Sequence, residues 1–131
     1  MEKIKETKNT VTLKSDVSET IANAVRRYVN HVPIYAIDDV EISKNDSPLY
    51  DETIAHRFGL VPLKTKKSVK EGDTKEAKLK SKGPGIVKSG DLDSEIEVVY
   101  DNMPITILDE NQELELKANI RAAQGREHSR F

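Results

Sequence analysis

Apolar residues recur at helical spacing between residues 18 and 31, which is the most regular pattern in the chain. At about 100° per residue, one side of the predicted helix collects an apolar stripe of Val17, Ile21, Ala24, Val25, Tyr28, Val29 and Val32. The opposite side carries what we call the Arg-Asn face, which consists of Asn23, Arg26, Arg27 and Asn30. Asp16 and Glu19 have the spacing of a capping box at the start of this helix, and Pro33 ends it.

Residues on both sides of this helix predict β-strands and one further helix. Residues 4–14 alternate weakly and predict one or two short strands around Lys8 and Asn9. Residues 33–42 are rich in β-branched and aromatic side chains, so a strand is expected there, followed by a turn at 43–48. A strand in this position would send the side chains of Asp38 and Asp39 to opposite faces. A shorter helix fits residues 51–58, with Gly59 directly after its end and an extended apolar segment at 60–63.

The second half of the chain predicts an antiparallel meander. The lysine-rich residues 64–82 should form a flexible loop followed by an exposed strand. A turn is expected at Gly83-Pro84-Gly85, and strands are expected at 76–81, 86–88, 95–100, 105–108 and 113–122. The last of these alternates cleanly, with Leu114, Leu116, Ala118 and Ile120 on one face. Helices early in the chain and strands late in it indicate the α+β class.

Composition excludes several kinds of protein. The chain has 131 residues, 34% charged and 36% hydrophobic, with a net charge of -2, so its overall charge does not favour a polyanionic partner. The absence of cysteine excludes disulfides, thiolate metal sites and a cysteine nucleophile. No stretch approaches the roughly 20 apolar residues that span a bilayer. We therefore expect a soluble, cytoplasmic protein of one domain, or one domain with a small appendage.

Residues capable of chemistry are few and scattered. The three histidines never occur at metal-binding helical spacing, and a solvated His56 is favoured over a ligand or general base. Asp91 and Asp93 could share a divalent cation, although carboxylates in such positions more often form turns. The lysines of residues 64–82 are candidates for contact with nucleic acid. They lack an interleaved aromatic residue for stacking, which favours a solvated loop.

The two adjacent arginines of the Arg-Asn face are a stronger signal. Arg26 and Arg27 have no acidic neighbour on the predicted helix, and arginine is suited to bidentate recognition of carboxylates. An ordinary amphipathic helix with a solvated basic side would show the same pattern. The pair nevertheless hints at an acidic partner surface.

Several motifs resemble one protein family. Residues 23–27 and 32–42 are similar to the alpha-like subunit of multisubunit RNA polymerases, which is the D-type subunit of archaea and the third-largest subunit of eukaryotic RNA polymerase II. Residues 51–63 match the family's long and specific pattern Glu-x-Ile-Ala-His-Arg-x-Gly-Leu-x-Pro-Leu. Residues 89–92 and 125–128 also match later parts of the family, and the archaeal form fits best.

The resemblance implies a non-catalytic assembly subunit of DNA-directed RNA polymerase, a nucleotidyltransferase complex. Such a subunit pairs with a small alpha-like partner, the L-type subunit of archaea, and docks the large catalytic subunits; it meets DNA only through the complex. Residues 1–63 would be the first part of an alpha-like dimerisation domain, and residues 64–131 would belong to an inserted, mostly antiparallel β domain. The apolar stripe would pack within the dimerisation domain, as part of its core or of its dimerisation surface. The interface with a large subunit would comprise Asn23, Arg26, Arg27, Asn30, His56 and Arg57.

Two departures from the family matter. Many members carry cysteines in the inserted domain that bind zinc or an iron–sulfur cluster, whereas this chain has the lysine-rich residues 64–82 there, so we expect no metal and no cofactor. The family's chains also continue beyond the last motif, whereas this sequence ends at Phe131. A shortened or split subunit is expected, with an apolar stripe that is partly uncovered unless another chain covers it. A stand-alone nucleic-acid-binding module that uses the lysine-rich loop remains the alternative.

Overall fold

The computed structural model describes residues 2–131 and contains two α-helices and eight strands. The helices are α1 (Glu19–Tyr28) and α2 (Asp51–Gly59). The strands are β1 (Glu2–Glu6), β2 (Val11–Lys14), β3 (Ile34–Asn45), β4 (Thr74–Lys82), β5 (Gly85–Lys88), β6 (Asp93–Ser94), β7 (Pro104–Leu108) and β8 (Glu113–Ala123). One-turn 3-10 helices cover Val29–His31 and Ser89–Asp91. The α+β class is confirmed, as is the pair of short strands at the start of the chain.

The strands form one four-stranded sheet and two smaller pairs. The main sheet is antiparallel with the order β3-β8-β4-β6, while β1 pairs with β2 and β5 pairs with β7. The predicted meander is wrong as a topology, because the last strand lies between β3 and β4 rather than beside β7. Strand β8 is the centre of the sheet, since it pairs with β3 on one edge and with β4 on the other along most of its length.

The predicted strand at residues 95–100 is absent. These residues form bends, and Val98 makes only an isolated bridge with Leu63. Ile96 and Val98 still pack against the core from this loop. The alternation of apolar and polar residues in this segment therefore reflects alternating burial without strand pairing.

The main core lies on one face of the sheet and is closed by α2. Strand β4 is part of it, since Ala77 and Leu79 are buried, while Lys78 and Lys80 take the other face. The expectation of an exposed strand in the lysine-rich region is therefore wrong. The largest fully buried apolar residues are Phe58, Ile37, Ile54, Leu79, Ile105, Leu108, Leu114, Ile120, Val61 and Val87. Each such side chain stabilises the fold by about 1.5–3 kcal/mol relative to an exposed position.

A β-bulge in β3 determines which of its residues face the core. The register with β8 shifts between Ile37 and Asp39, which leaves Asp38 as the extra residue. Ile37 before the bulge and Val40 after it consequently pack into the same core. Asp38 and Asp39 both remain outside that core, so the prediction that they point to opposite faces is wrong. The strand also continues to Asn45, three residues into the predicted turn.

The helix ends differ slightly from the predicted ones. Ser18, rather than Asp16, is the N-cap of α1, and its Oγ accepts a hydrogen bond of 3.4 Å from the backbone N–H of Ile21. Gly59 is the last residue of α2, with Leu60 as the C-cap, so Gly59 does not follow the helix as predicted. Within residues 2–131, neither helix has the length and apolar character needed to cross a membrane.

Candidate functional site

The apolar stripe of α1 lies in solvent. Helix α1 has no buried residue, and the exposed fraction of the stripe's large side chains runs from 43% at Val17 to 65% at Tyr28. Six members of the stripe line an open groove: Ile21, Ala24, Val25, Tyr28, Val29 and Val32. A contiguous apolar surface of this kind typically marks a contact with another protein.

The Arg-Asn face lies on the same exposed helix. Arg26 and Arg27 occupy the last turn of α1, where their positive charge is favourable at the negative end of the helix dipole. Within residues 2–131, no carboxylate lies within 4 Å of either guanidinium. Both arginines keep their hydrogen-bond donors available for an external anion.

Asn30, the fourth member of that face, has an intramolecular contact. Its side chain lies against Gly125, where an added Cβ would sit 3.1 Å from the Asn30 Oδ1 atom. Next to it, the ring of His31 lies 4.7 Å from the ring of Tyr28. The 3-10 turn that follows α1 therefore contacts the segment after β8, a contact that no local sequence pattern indicates.

Helix α2 places the two remaining candidate residues in different surroundings. His56 is exposed and lines a cavity of about 260 Å³ between α2, the β3 bulge and residues 128–130. Arg57 donates from Nη1 to the carbonyl oxygen of Ile105 at 2.6 Å. Of this pair, only His56 is free of a side-chain hydrogen bond within residues 2–131, and Arg57 joins α2 to β7.

A charged cluster beside the bulge was not predicted from the sequence. Asp38 accepts hydrogen bonds from Arg121 Nε at 3.0 Å and from Arg130 Nη1 at 3.1 Å. Arg121 also donates from Nη2 to Glu127 Oε1 at 2.7 Å, and its guanidinium lies 5.1 Å from the centre of the Phe131 ring. The hydrogen bond from Arg121 lowers the pKa of the Glu127 carboxyl. The bonds to Glu127 and Asp38 in turn raise the pKa of Arg121.

The lysine-rich region is partly neutralised by glutamates. The Nζ atom of Lys64 lies 2.8 Å from Glu97 Oε2, and that of Lys75 lies 3.7 Å from Glu95 Oε2. The hydrogen bond between Lys64 and Glu97 raises the pKa of the lysine and lowers the pKa of the carboxyl. These pairs reduce the positive charge that the region would offer to phosphates.

The two aspartates considered for a cation lie in different elements, Asp91 in the Ser89–Asp91 turn and Asp93 in β6. The Oδ2 atom of Asp91 accepts a hydrogen bond of 2.9 Å from the backbone N–H of Lys88, and Asp93 begins β6. Across the part of the chain that the structure describes, no group of three or more histidine, aspartate or glutamate side chains is placed to hold a metal ion. The turn interpretation of Asp91 is confirmed.

A family model and individual relatives both show that the chain is similar to RNA polymerase subunits. Residues 40–130 match the family model described as the RNA polymerase Rpb3/RpoA insert domain. The chain is 38% identical to DNA-directed RNA polymerase subunit Rpo3 of Pyrococcus horikoshii, with 98% of this chain and 54% of that protein covered. It is 40% identical to Rpo3 of Pyrococcus furiosus, with 88% and 48% covered, and 38% identical to Rpo3 of Methanothermobacter thermautotrophicus, with 89% and 52% covered. The chain spans about half the length of the curated relatives it matches.

Proposed function

This chain belongs to the Rpb3/RpoA family of RNA polymerase subunits, as archaeal Rpo3 does, and on that basis we propose that it is a non-catalytic assembly subunit of a DNA-directed RNA polymerase. In this proposal the large subunits carry out nucleotide transfer, and the chain meets DNA only through the complex. One observation carries the proposal. A single exposed helix, α1, presents an apolar stripe on one side and, on the other, two arginines that have no acidic partner among residues 2–131.

The first proposed contact is between the apolar stripe and a small alpha-like partner of the archaeal L type. Val25 and Ile21 are more than half exposed, so their burial by another chain would remove apolar surface from water. Burial of such a side chain contributes about 1.5–3 kcal/mol when it is complete. The groove has few polar groups to satisfy, so an apolar helix face of the partner would fit it.

The second proposed contact is between Arg26 and Arg27 and an acidic surface of a large subunit. Guanidinium groups bind carboxylates through two parallel hydrogen bonds, and such pairs are frequent hot spots of interfaces. Because the arginines and the apolar stripe occupy opposite sides of α1, one helix can contact two partners at once. This arrangement is what an assembly subunit requires.

Helix α2 contributes to the proposed docking surface in two ways. We assign His56, at the exposed rim of its cavity, to the contact with a large subunit. Arg57 fixes the position of α2 in that surface, because its hydrogen bond to Ile105 holds α2 against β7.

The division into a dimerisation part at 1–63 and an inserted domain at 64–131 remains a prediction. Strand β3 of the first part pairs with β8 of the second from Ile34 to Asn45, so both parts share the main core. A fragment that ends near residue 63 would lack β8, the strand with which β3 pairs. All experiments are therefore proposed on the full chain.

The proposal is tested with the double variant Arg26→Ala/Arg27→Ala in a reconstituted polymerase. We expect weaker binding of the large subunits, while the small alpha-like partner still binds, because the apolar stripe is untouched. The matched control is Lys66→Ala/Lys67→Ala, which removes two adjacent exposed cationic residues elsewhere. Unchanged affinity of the arginine variant for the large subunits would contradict the assignment of this interface.

A further inference from the structure

The segment that follows β8 covers part of the sheet that the main core does not reach. Ala36 and Ala123 are 2% and 0% exposed, although neither belongs to the main core cluster. Their chain neighbours Tyr35 and Ala122 do belong to that core, so the alternation of a strand puts the two alanines on the opposite face. Residues 124–131 lie over this end of that face.

Two ion pairs attach the segment to the sheet, Arg130 with Asp38 and Glu127 with Arg121. Arg130 donates to the Oδ1 atom of Asp38 at 3.1 Å and also to the backbone carbonyl oxygen of that residue. Glu127 accepts two hydrogen bonds from Arg121, at 2.7 and 3.3 Å. Asp38 accepts from Arg121 as well, so the carboxylate at the β3 bulge connects both arginines. Asp38 directly follows the buried Ile37, so the alternation of the strand puts it on the face opposite the main core, where Arg121 lies.

The same segment contacts the 3-10 turn that follows α1, where Gly125 packs closely against Asn30. An added Cβ at Gly125 would lie 3.1 Å from the Oδ1 atom of Asn30 and 3.3 Å from its Cβ and Cγ atoms. Asn30 stands in the 3-10 turn that follows α1, and only Val32 and Pro33 separate that turn from β3. The contact therefore lies next to the short connection, Val32 and Pro33, between the helical residues and β3.

From these contacts we propose that residues 125–131 form a clamp that sets the direction in which α1 leaves the sheet. Helix α1 has no buried residue that would fix its own orientation. At 1.5 Å per residue its ten residues extend about 15 Å from that connection, so a small displacement at Asn30 becomes a large one at Glu19. Gly125 and Arg130 are positioning residues, since they act on α1 through Asn30 and Asp38. The inference concerns the isolated chain and does not depend on the proposed polymerase partners.

The clamp is tested by distance measurement between two spin labels. The chain has no cysteine, so the substitutions Glu19→Cys at the start of α1 and Glu41→Cys on β3 create two unique and exposed labelling sites. In the otherwise unchanged full chain we expect pulsed electron paramagnetic resonance to give one narrow distance distribution. Gly125→Val, Asn30→Ala or Arg130→Met should each replace the narrow peak by a broad distribution.

Two controls separate orientation from folding. Arg126→Met changes a neighbouring exposed arginine whose side chain forms no hydrogen bond or ion pair within residues 2–131, and it should leave the narrow peak in place. The thermal midpoint and the circular dichroism spectrum of Asn30→Ala should match those of the parent, because the main core is untouched. A parent distribution as broad as that of the variants, or a narrow peak that survives all three substitutions, would overturn the clamp.

Discussion

The guanidinium of Arg57 donates from Nη1 to the carbonyl oxygen of Ile105 at 2.6 Å and so links α2 to β7. Strand β7 has β5 as its paired neighbour, and this bond satisfies a backbone acceptor on β7. A charged donor at the edge of a strand also discourages pairing with other chains. The contact gives Arg57 a structural role in addition to the part that the family resemblance implied.

Arg57→Ala should lower the free energy of unfolding by about 1–2 kcal/mol, within the range for hydrogen bonds to charged donors after allowance for solvent exposure. Urea unfolding of the full chain measures this. The neighbouring His56→Ala should leave the free energy of unfolding unchanged, because His56 is exposed. Equal effects of the two substitutions would show that the bond to Ile105 contributes nothing.

Phe58 is the largest fully buried side chain on α2. Phe58→Ala should lower the free energy of unfolding by about 3–5 kcal/mol, because it removes a large apolar group and leaves a cavity. Leu60→Ala, at a residue that is 57% exposed just after the helix, serves as the control and should cost much less. A similar loss in both variants would contradict the position of α2 over the main core.

Stability should fall as the pH is lowered through the acidic range. The pKa of Glu127 is lowered in the folded chain by its hydrogen bond from Arg121, and the pKa of Glu113 is lowered by Lys44. A carboxyl with a lowered folded pKa contributes its full stability above the ordinary value of 4.5, and the contribution is lost as the pH falls through the folded pKa.

The measurement is the thermal midpoint of the full chain between pH 7 and pH 3. Glu127→Gln should reduce the acid dependence, since its side chain no longer titrates. Glu110→Gln, at an exposed carboxyl that forms no ion pair within residues 2–131, should leave the pH profile unchanged. Identical profiles for the parent and Glu127→Gln would contradict the coupling between Glu127 and Arg121.

The alternative function, nucleic-acid binding by the lysine-rich residues 64–82, predicts an affinity that decreases steeply with salt. We expect the full chain to bind a DNA duplex weakly even at low salt, because the region has no aromatic residue and Lys64 and Lys75 are paired with glutamates. Fluorescence titration at several salt concentrations checks this. Tight binding that is lost in Lys66→Ala/Lys67→Ala would favour the alternative.

The sequence predicted a secondary-structure element best where the spacing of apolar residues was regular. The alternation of residues 113–122 predicted β8, and the apolar spacing of residues 18–31 predicted a helix that is present as α1 and its 3-10 turn. The order of the strands could not be derived from such local patterns, because pairing of β8 between β3 and β4 depends on contacts far apart in sequence. The bulge at Asp38 was missed for the same reason, since its register is defined by the partner strand.

The candidate site was predictable only in part. The two sides of α1 follow directly from helical geometry, and the structure shows that the apolar stripe is exposed. The contacts of Arg57 with Ile105 and of Asn30 with Gly125 join residues that no periodicity relates. The family resemblance marked residues 125–128 without giving them a function, and only the packing of Gly125 against Asn30 and the bonds of Arg130 to Asp38 suggested one.

The central claim is that α1 binds a small alpha-like polymerase subunit through its apolar stripe. It is tested most directly by the affinity of the full chain for that subunit, measured by calorimetry with Val25→Asp and with the control Asn23→Asp on the opposite side of α1. Val25 is 55% exposed, so the substitution should leave the chain folded. We predict a one-to-one complex for the parent and for Asn23→Asp, and no detectable binding for Val25→Asp. Binding of Val25→Asp with the affinity of the parent would contradict the account.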